Sequence, residues 1–268
     1  MKAVVIGNGE SRKWFAEKEY YRWIKAVTWG CNAIYREKNV IVDNLVAVDY
    51  GMQQEIYNTG YPLTNIEGGR CYFRNWSIVP SSVADMMFMG FNIPDELIHR
   101  SNKYTKNCVI QGKDPNTLQE KIEVAIKLNP HLDTKDLVMK MEKDMGVWIT
   151  YVEENDNVNP IIFPIGWSTG NTALHLACQD GATEVYILGF DLSSYDEPLN
   201  NIYKGTDNYL SSDAKGFSPT NWKNQMQTVF KEFQKIKFYW IDAKKEFIQE
   251  KNLRYLTKTE FYDTVVTL

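Results

Sequence analysis

Histidine is scarce in this chain, and its few cysteines are scattered. Only His99, His131 and His175 occur, with Cys31, Cys71, Cys108 and Cys178, in 268 residues. No pair among them has zinc-ligand spacing, so the cysteines read as reduced, partly buried thiols of a cytoplasmic protein. Long hydrophobic runs are also lacking. Apolar runs such as residues 185–190 fall far short of the roughly 20 residues that cross a bilayer, so no membrane span is expected. The N-terminus enters a strand directly, without the layout of a signal peptide. Positive charge is not in excess: 30 Lys and Arg face 34 Asp and Glu, for a net charge of −4. A general affinity for nucleic-acid backbone is therefore not expected.

What is present is enough for a core. Hydrophobic residues make up 44% of the chain, and no low-complexity tract argues for disorder. The length fits one α/β domain over residues 1–268, with an expected insertion at 112–146 and an expected lid at 192–219. Eight Trp and sixteen Tyr exceed what a core needs, so some rings are expected to line a binding surface.

The most informative stretch is Trp167-Ser168-Thr169-Gly170-Asn171-Thr172-Ala173, running into Glu184-Val185-Tyr186-Ile187-Leu188-Gly189-Phe190-Asp191. It reads as a helix opened by small residues, then a buried strand that ends at a carboxylate. A helix N-terminus carries unpaired N–H groups and partial positive charge, which suit a phosphate. A similar turn opens the chain, Gly7-Asn8-Gly9-Glu10-Ser11 after the strand at 3–6. It is only part of a dinucleotide fingerprint, because Arg12 stands where a third glycine belongs, and the Walker pattern is absent.

Strands are also expected at 25–28, 45–48, 71–73, 77–79, 108–111, 146–152, 161–163, 185–190 and 238–241. Helices are expected from Ser11 to about Trp23, from Gly51 to Tyr57, and at 84–90, 117–128, 134–145 and 220–235, and the C-terminal tail is a candidate edge strand. Strand and helix alternate as in a parallel α/β sheet. The strand C-termini of such a sheet share one edge, so Asn8, Asn32, Asp49, Ser168 and Asp191 are expected to gather there as a pocket. His175 lies about two turns into its helix and reads as a satisfied, partly buried histidine rather than a catalytic base. Asp191 and Asp196 do not form a tight Asp-x-Asp metal site.

In Gly7-Asn8-Gly9-Glu10-Ser11, Cys31-Asn32-Ala33-Ile34-Tyr35, Ser168-Thr169-Gly170 and Ile187-Leu188-Gly189-Phe190-Asp191, the chain resembles the bacterial lipooligosaccharide sialyltransferase family. Its relatives include Rossmann-type proteins akin to the archaeal hydroxymethylpterin diphosphokinase. The resemblance leaves out residues 60–158. It implies a Rossmann-like, mainly parallel sheet with helices on both faces. It also implies a metal-independent glycosyltransferase that takes a CMP-sugar donor and a glycan-like acceptor, with no other cofactor. Asn8, Gly9 and Ser11 would then face the phosphate or ribose, and Asn32 the ribose-phosphate region. Ser168, Thr169 and Gly170 would hold the cytidine and its phosphate, and Tyr195 would steady the leaving group. Where that family carries Gly-His-Ser with its general base, this chain has Gly216-Phe217-Ser218, and Phe cannot accept a proton. Asp213, Asp207 and His175 are the substitutes considered. Two alternatives stand beside this reading: a non-catalytic protein that kept the fold, and a magnesium-dependent diphosphotransferase using Asp49 and Asp191. Self-association into a homo-oligomer is left open.

Overall fold

The computed structural model describes residues 1–16, 23–64, 70–74, 109–110, 149–150, 157–161, 164–166, 168–192, 197–216, 218–243 and 248–266. Strand β1 (Lys2–Ile6) is central. Ala3, Val4, Val5 and Ile6 are all fully buried, as expected where both faces of a parallel sheet are covered. Strands β2 (Val27–Cys31), β3 (Asn44–Ala47), β4 (Arg70–Arg74) and β7 (Val158–Ile161) follow on one side of it. On the other side lie β8 (Glu184–Leu188), β9 (Lys237–Ile241) and β10 (Leu253–Leu256). The order is β10-β9-β8-β1-β2-β3-β4-β7, and every neighbouring pair is parallel. A separate parallel pair joins β5 (Val109–Ile110) to β6 (Ile149–Thr150).

Helices cover both faces, giving the expected Rossmann-like α/β architecture. On one face α4 (Thr169–Gln179) and α5 (Thr220–Glu232) bury Ala173, Leu174, Ala177, Met226, Val229 and Phe230 against Val5, Trp29, Val46 and Ile187. On the other, α2 (Tyr50–Asn58) and α6 (Lys258–Val265) bury Met52, Ile56, Phe261 and Val265 against Ile6, Leu45 and Leu188. Each large aliphatic side chain fully buried in this way contributes about 1.5–3 kcal/mol. Short helices α1 (Lys13–Ala16) and α3 (Tyr61–Thr64) and two 3-10 turns, Glu10–Arg12 and Asn32–Arg36, complete the frame.

Several boundaries differ from expectation. The strand expected at 25–28 runs instead to Cys31, because Trp29 and Cys31 face the core. The strand expected at 161–163 begins at Val158 and contains Pro160. Proline is tolerated there because β7 is the edge strand among the described residues, with no second described neighbour needing its missing N–H. The strand expected at 71–73 is found, as β4, paired in parallel with β3. The C-terminal tail does supply an edge, β10, followed by α6 with a Thr257–Glu260 capping box. The helix expected from Ser11 starts as a 3-10 turn. Its continuation at 17–22, and the elements expected at 77–79, 84–90, 117–128 and 134–145, lie outside the described residues. So does the insertion at 112–146.

The decisive consequence is topological. From β1 the chain winds outward through β2, β3, β4 and β7, then returns to the other side of β1 at β8. The connections leaving β1 and β8 therefore diverge, and a crevice opens between them at the strand C-termini.

Candidate functional site

That crevice is a cleft of about 240 Å³. Loop 7–9 after β1, Cys31 at the end of β2 with Asn32 after it, Asp49 after β3, residues 168–171 opening α4, and residues 189–192 after β8 line it. Asn200, Asn201, Trp222 and Met226 close it from the outer side. Eight residues expected at a ligand site thus meet in one place: Asn8, Gly9, Asn32, Asp49, Ser168, Thr169, Gly170 and Asp191.

The glycines are required by close packing. A Cβ on Gly7 would lie 2.6 Å from the Gly189 carbonyl oxygen, and one on Gly170 would lie 2.9 Å from the Phe190 ring. Gly7 also donates its N–H to the Leu188 carbonyl at 2.8 Å, so the two strand ends are laced together where the chain diverges. Because backbone cannot swing aside as a side-chain tip can, Gly7→Ala is expected to destabilise the protein by about 1–3 kcal/mol in urea denaturation. An unchanged midpoint would show that the β1–β8 contact is looser than it stands here.

At α4, Ser168 is the N-cap, with its Oγ accepting from the Asn171 N–H at 3.2 Å. The Thr172 N–H reaches the Ser168 carbonyl at 3.0 Å. The N–H groups of Thr169 and Gly170 are left without a protein acceptor among the described residues, at the positive end of an 11-residue helix. Thr169 Oγ1 donates to Asn32 Oδ1 at 3.0 Å, joining this turn to the end of β2. Asn32 has φ of 52°, a left-handed conformation that asparagine tolerates better than most residues. Leu192, also on the cleft, has φ of 38°, which is strained for a leucine.

The two cleft carboxylates differ. Asp191 is held by Ser11, whose N–H donates to Oδ2 at 2.8 Å and whose hydroxyl donates to Oδ1. Ser11 is therefore a clasp for the β8 end rather than a cleft residue, contrary to the role expected for it. Gly9 has to be glycine for the same reason, since a Cβ would lie 2.5 Å from the Asp191 carboxyl carbon. Asp49 stands in the mouth. Water reaches it, yet the concave walls strip part of its hydration. That desolvation raises its carboxyl to about 6, with the Arg74 charge pulling the other way. The Cys31 thiol, buried on the cleft floor, is pushed up to about 12 by burial and is inert.

The expected catalytic residues do not gather here. His175 points away along α4, with Nε2 3.2 Å from Glu232 Oε1 and its ring edge-on to Phe233. It is a paired, half-buried histidine. Asp213 is exposed and does not line the cleft. Asp207 is also exposed, and its carbonyl accepts from Arg36 at 3.0 Å. Tyr195 and Phe217 lie outside the described residues. The stretch expected as a lid is, over residues 197–216, a strap tied to the rim. The Ile202 N–H donates to the Asn8 carbonyl at 2.9 Å, Asn200 Oδ1 accepts from the Glu10 N–H at 2.7 Å, and Tyr209 Oη lies 3.1 Å from Asn8 Nδ2. An antiparallel bridge, Pro198 to Lys215, closes its base.

Sequence reading missed Asn171, Phe190, Asn200, Asn201, Trp222 and Met226. Asn171 could have been found, since it follows directly on Ser168-Thr169-Gly170. The α5 and strap residues arrive from distant segments and carry no local signal. No Lys, Arg or His lines the cleft among the described residues. No group of three or more His, Cys, Asp or Glu side chains converges among them either, and no described helix is long and apolar enough to cross a membrane. No family model, curated protein or solved structure matches the chain.

Proposed function

We propose that the cleft binds a nucleoside monophosphate unit, carried by a CMP-linked sugar donor, and that the protein transfers the sugar to an acceptor hydroxyl. The observation that carries this reading is the bare start of α4. Two N–H groups without an acceptor among the described residues and a helix dipole meet in a switch-point crevice whose described walls contain no cationic side chain. The N-terminal charge of a helix is about half an elementary charge. It matches the single charge of a phosphodiester better than the charges of a di- or triphosphate, which would need lysine, arginine or a cation to offset them. The resemblance to the sialyltransferases supports the CMP-linked donor in particular.

In this reading the Thr169 and Gly170 N–H groups hold the phosphate, and Asn8 and Asn32 hold the ribose. The bond between the anomeric carbon and the phosphate oxygen breaks, and the electron pair stays on the departing CMP. The acceptor oxygen bonds to the anomeric carbon, and Asp49 takes its proton. Asp49 replaces Asp213, Asp207 and His175 as the base because it stands in the cleft and they do not. Preorganised N–H donors aimed at the leaving phosphate act there without reorganising, which is where such sites gain most of their rate.

Isothermal titration tests the binding step. CMP is expected to bind, and CDP, UDP and GDP to bind more weakly. No heat with any of the four, or a clear preference for the diphosphates, would overturn the reading.

A further inference from the structure

Asn171, which lines the cleft, carries a fixed acceptor that no described residue uses. Asn171 is 1% exposed and lines the cleft at the start of α4. Its Nδ2 donates to the Trp222 carbonyl at 3.0 Å and to Gln225 Oε1 at 3.2 Å. A backbone carbonyl can only accept, so the amide has one orientation, and Oδ1 is the atom left over. That oxygen is buried and has no partner. An unsatisfied buried acceptor is unfavourable in a native core and calls for an explanation. The half-buried side chain of Trp222 lines the same part of the cleft, and Met226 and Phe190 supply further apolar wall.

Resting on the nucleotide reading above, we infer that Asn171 selects the base: its Oδ1 accepts a hydrogen bond from the exocyclic amine of an amino-substituted nucleobase lying against Trp222. The chemistry is directional. A cytosine-type edge offers an N–H₂ donor where a uracil-type edge offers a carbonyl oxygen, and that oxygen would face Oδ1 acceptor to acceptor. Flat apolar walls hold the ring without discriminating, so the amide carries the selectivity. The N–H groups of Thr169 and Gly170, without an acceptor among the described residues, lie two and one residues before Asn171 on the same turn. A phosphate and an amine donor therefore meet complementary groups of a single helix start.

The ligand tests this without altering the fold. CMP is compared by titration calorimetry with UMP and with the analogue of CMP in which hydrogen replaces the 4-amino group. Both are expected to bind about tenfold more weakly or worse, as loss of one buried hydrogen bond with a stranded acceptor implies. In Asn171→Ala the three ligands should bind alike. Asn171→Ser, smaller but polar, serves the same purpose if the alanine variant is unstable. Equal binding of CMP and its deamino analogue to the unmodified protein overturns the assignment of Asn171 while leaving the nucleotide reading intact. No binding of any of the three overturns both.

Discussion

Replacing Arg12 with alanine is expected to lower stability by about 3–5 kcal/mol, the range for removing one partner of a buried ion pair. Arg12 is 1% exposed. Its guanidinium donates through Nε to the Gly7 carbonyl, through both terminal nitrogens to Glu37 at 2.8 and 3.2 Å, and to Tyr203 Oη at 3.0 Å. Tyr203 in turn bonds Glu37. Burial alone would weaken the charge on Arg12, but Glu37 and Tyr203 more than compensate and hold it fully protonated. Truncation leaves Glu37, Tyr203 and the Gly7 carbonyl without their shared donor. Urea denaturation measures the loss. Arg12→Met with Glu37→Met, which removes both charges and keeps apolar volume, should recover much of it. A single-variant loss below about 1 kcal/mol would mean that solvent screens the pair as at an ordinary surface. The effect is also expected to reach the cleft, because the same side chain holds the Gly7 turn and, through Tyr203, the strap.

Asp49→Asn is the second large effect. If Asp49 is the base, the variant should lose about 10²- to 10⁴-fold in kcat, the usual contribution of a positioned general base. Its pH dependence has a definite sign. A base works ionised, so kcat/KM of the unmodified protein should fall as pH drops through about 6, the value to which burial raises this carboxyl. Stability runs the other way. The folded carboxyl titrates above its ordinary value of 3.8, so between 3.8 and about 6 the folded state binds more protons than the unfolded chain. Stability contributed by this group is present below 3.8 and declines as pH rises through about 6. Asparagine should remove both the acid limb of the rate and this decline. A variant that turns over normally, or that keeps the acid limb, would assign the proton transfer elsewhere.

The parts of the site that were legible in sequence are those written locally. Gly7-Asn8-Gly9 and Ser168-Thr169-Gly170 follow strand-like runs, and small residues there announce a tight turn or a helix start. The strand ends at Asn32, Asp49 and Asp191 follow from the same pattern, since a parallel sheet puts them on one edge. Ser11 meets Asp191 for an equally physical reason. A hydroxyl after a turn suits a phosphate and a carboxylate equally well, and which it meets depends on where β8 ends. Phe190, Trp222 and Met226 carry ordinary core patterns; Phe190 becomes a cleft wall where β8 ends beside α4, and Trp222 and Met226 because α5 packs beside α4.

Sequence alone determined the class of this protein: alternating apolar runs and helical periods, with glycine and asparagine at the joints, admit little besides a parallel α/β sheet. Tertiary structure decided the chemistry available to it. The return of β8 to the side of β1 opens the crevice, and the approach of α5 fixes the Asn171 amide and leaves its oxygen free. Packing also turns His175 outward and leaves Asp49 in the mouth. The division has a physical cause. Propensity and periodicity act over a few residues, whereas desolvation and hydrogen-bond satisfaction depend on neighbours that can be more than a hundred residues distant along the chain, as the Ser11–Asp191 clasp shows.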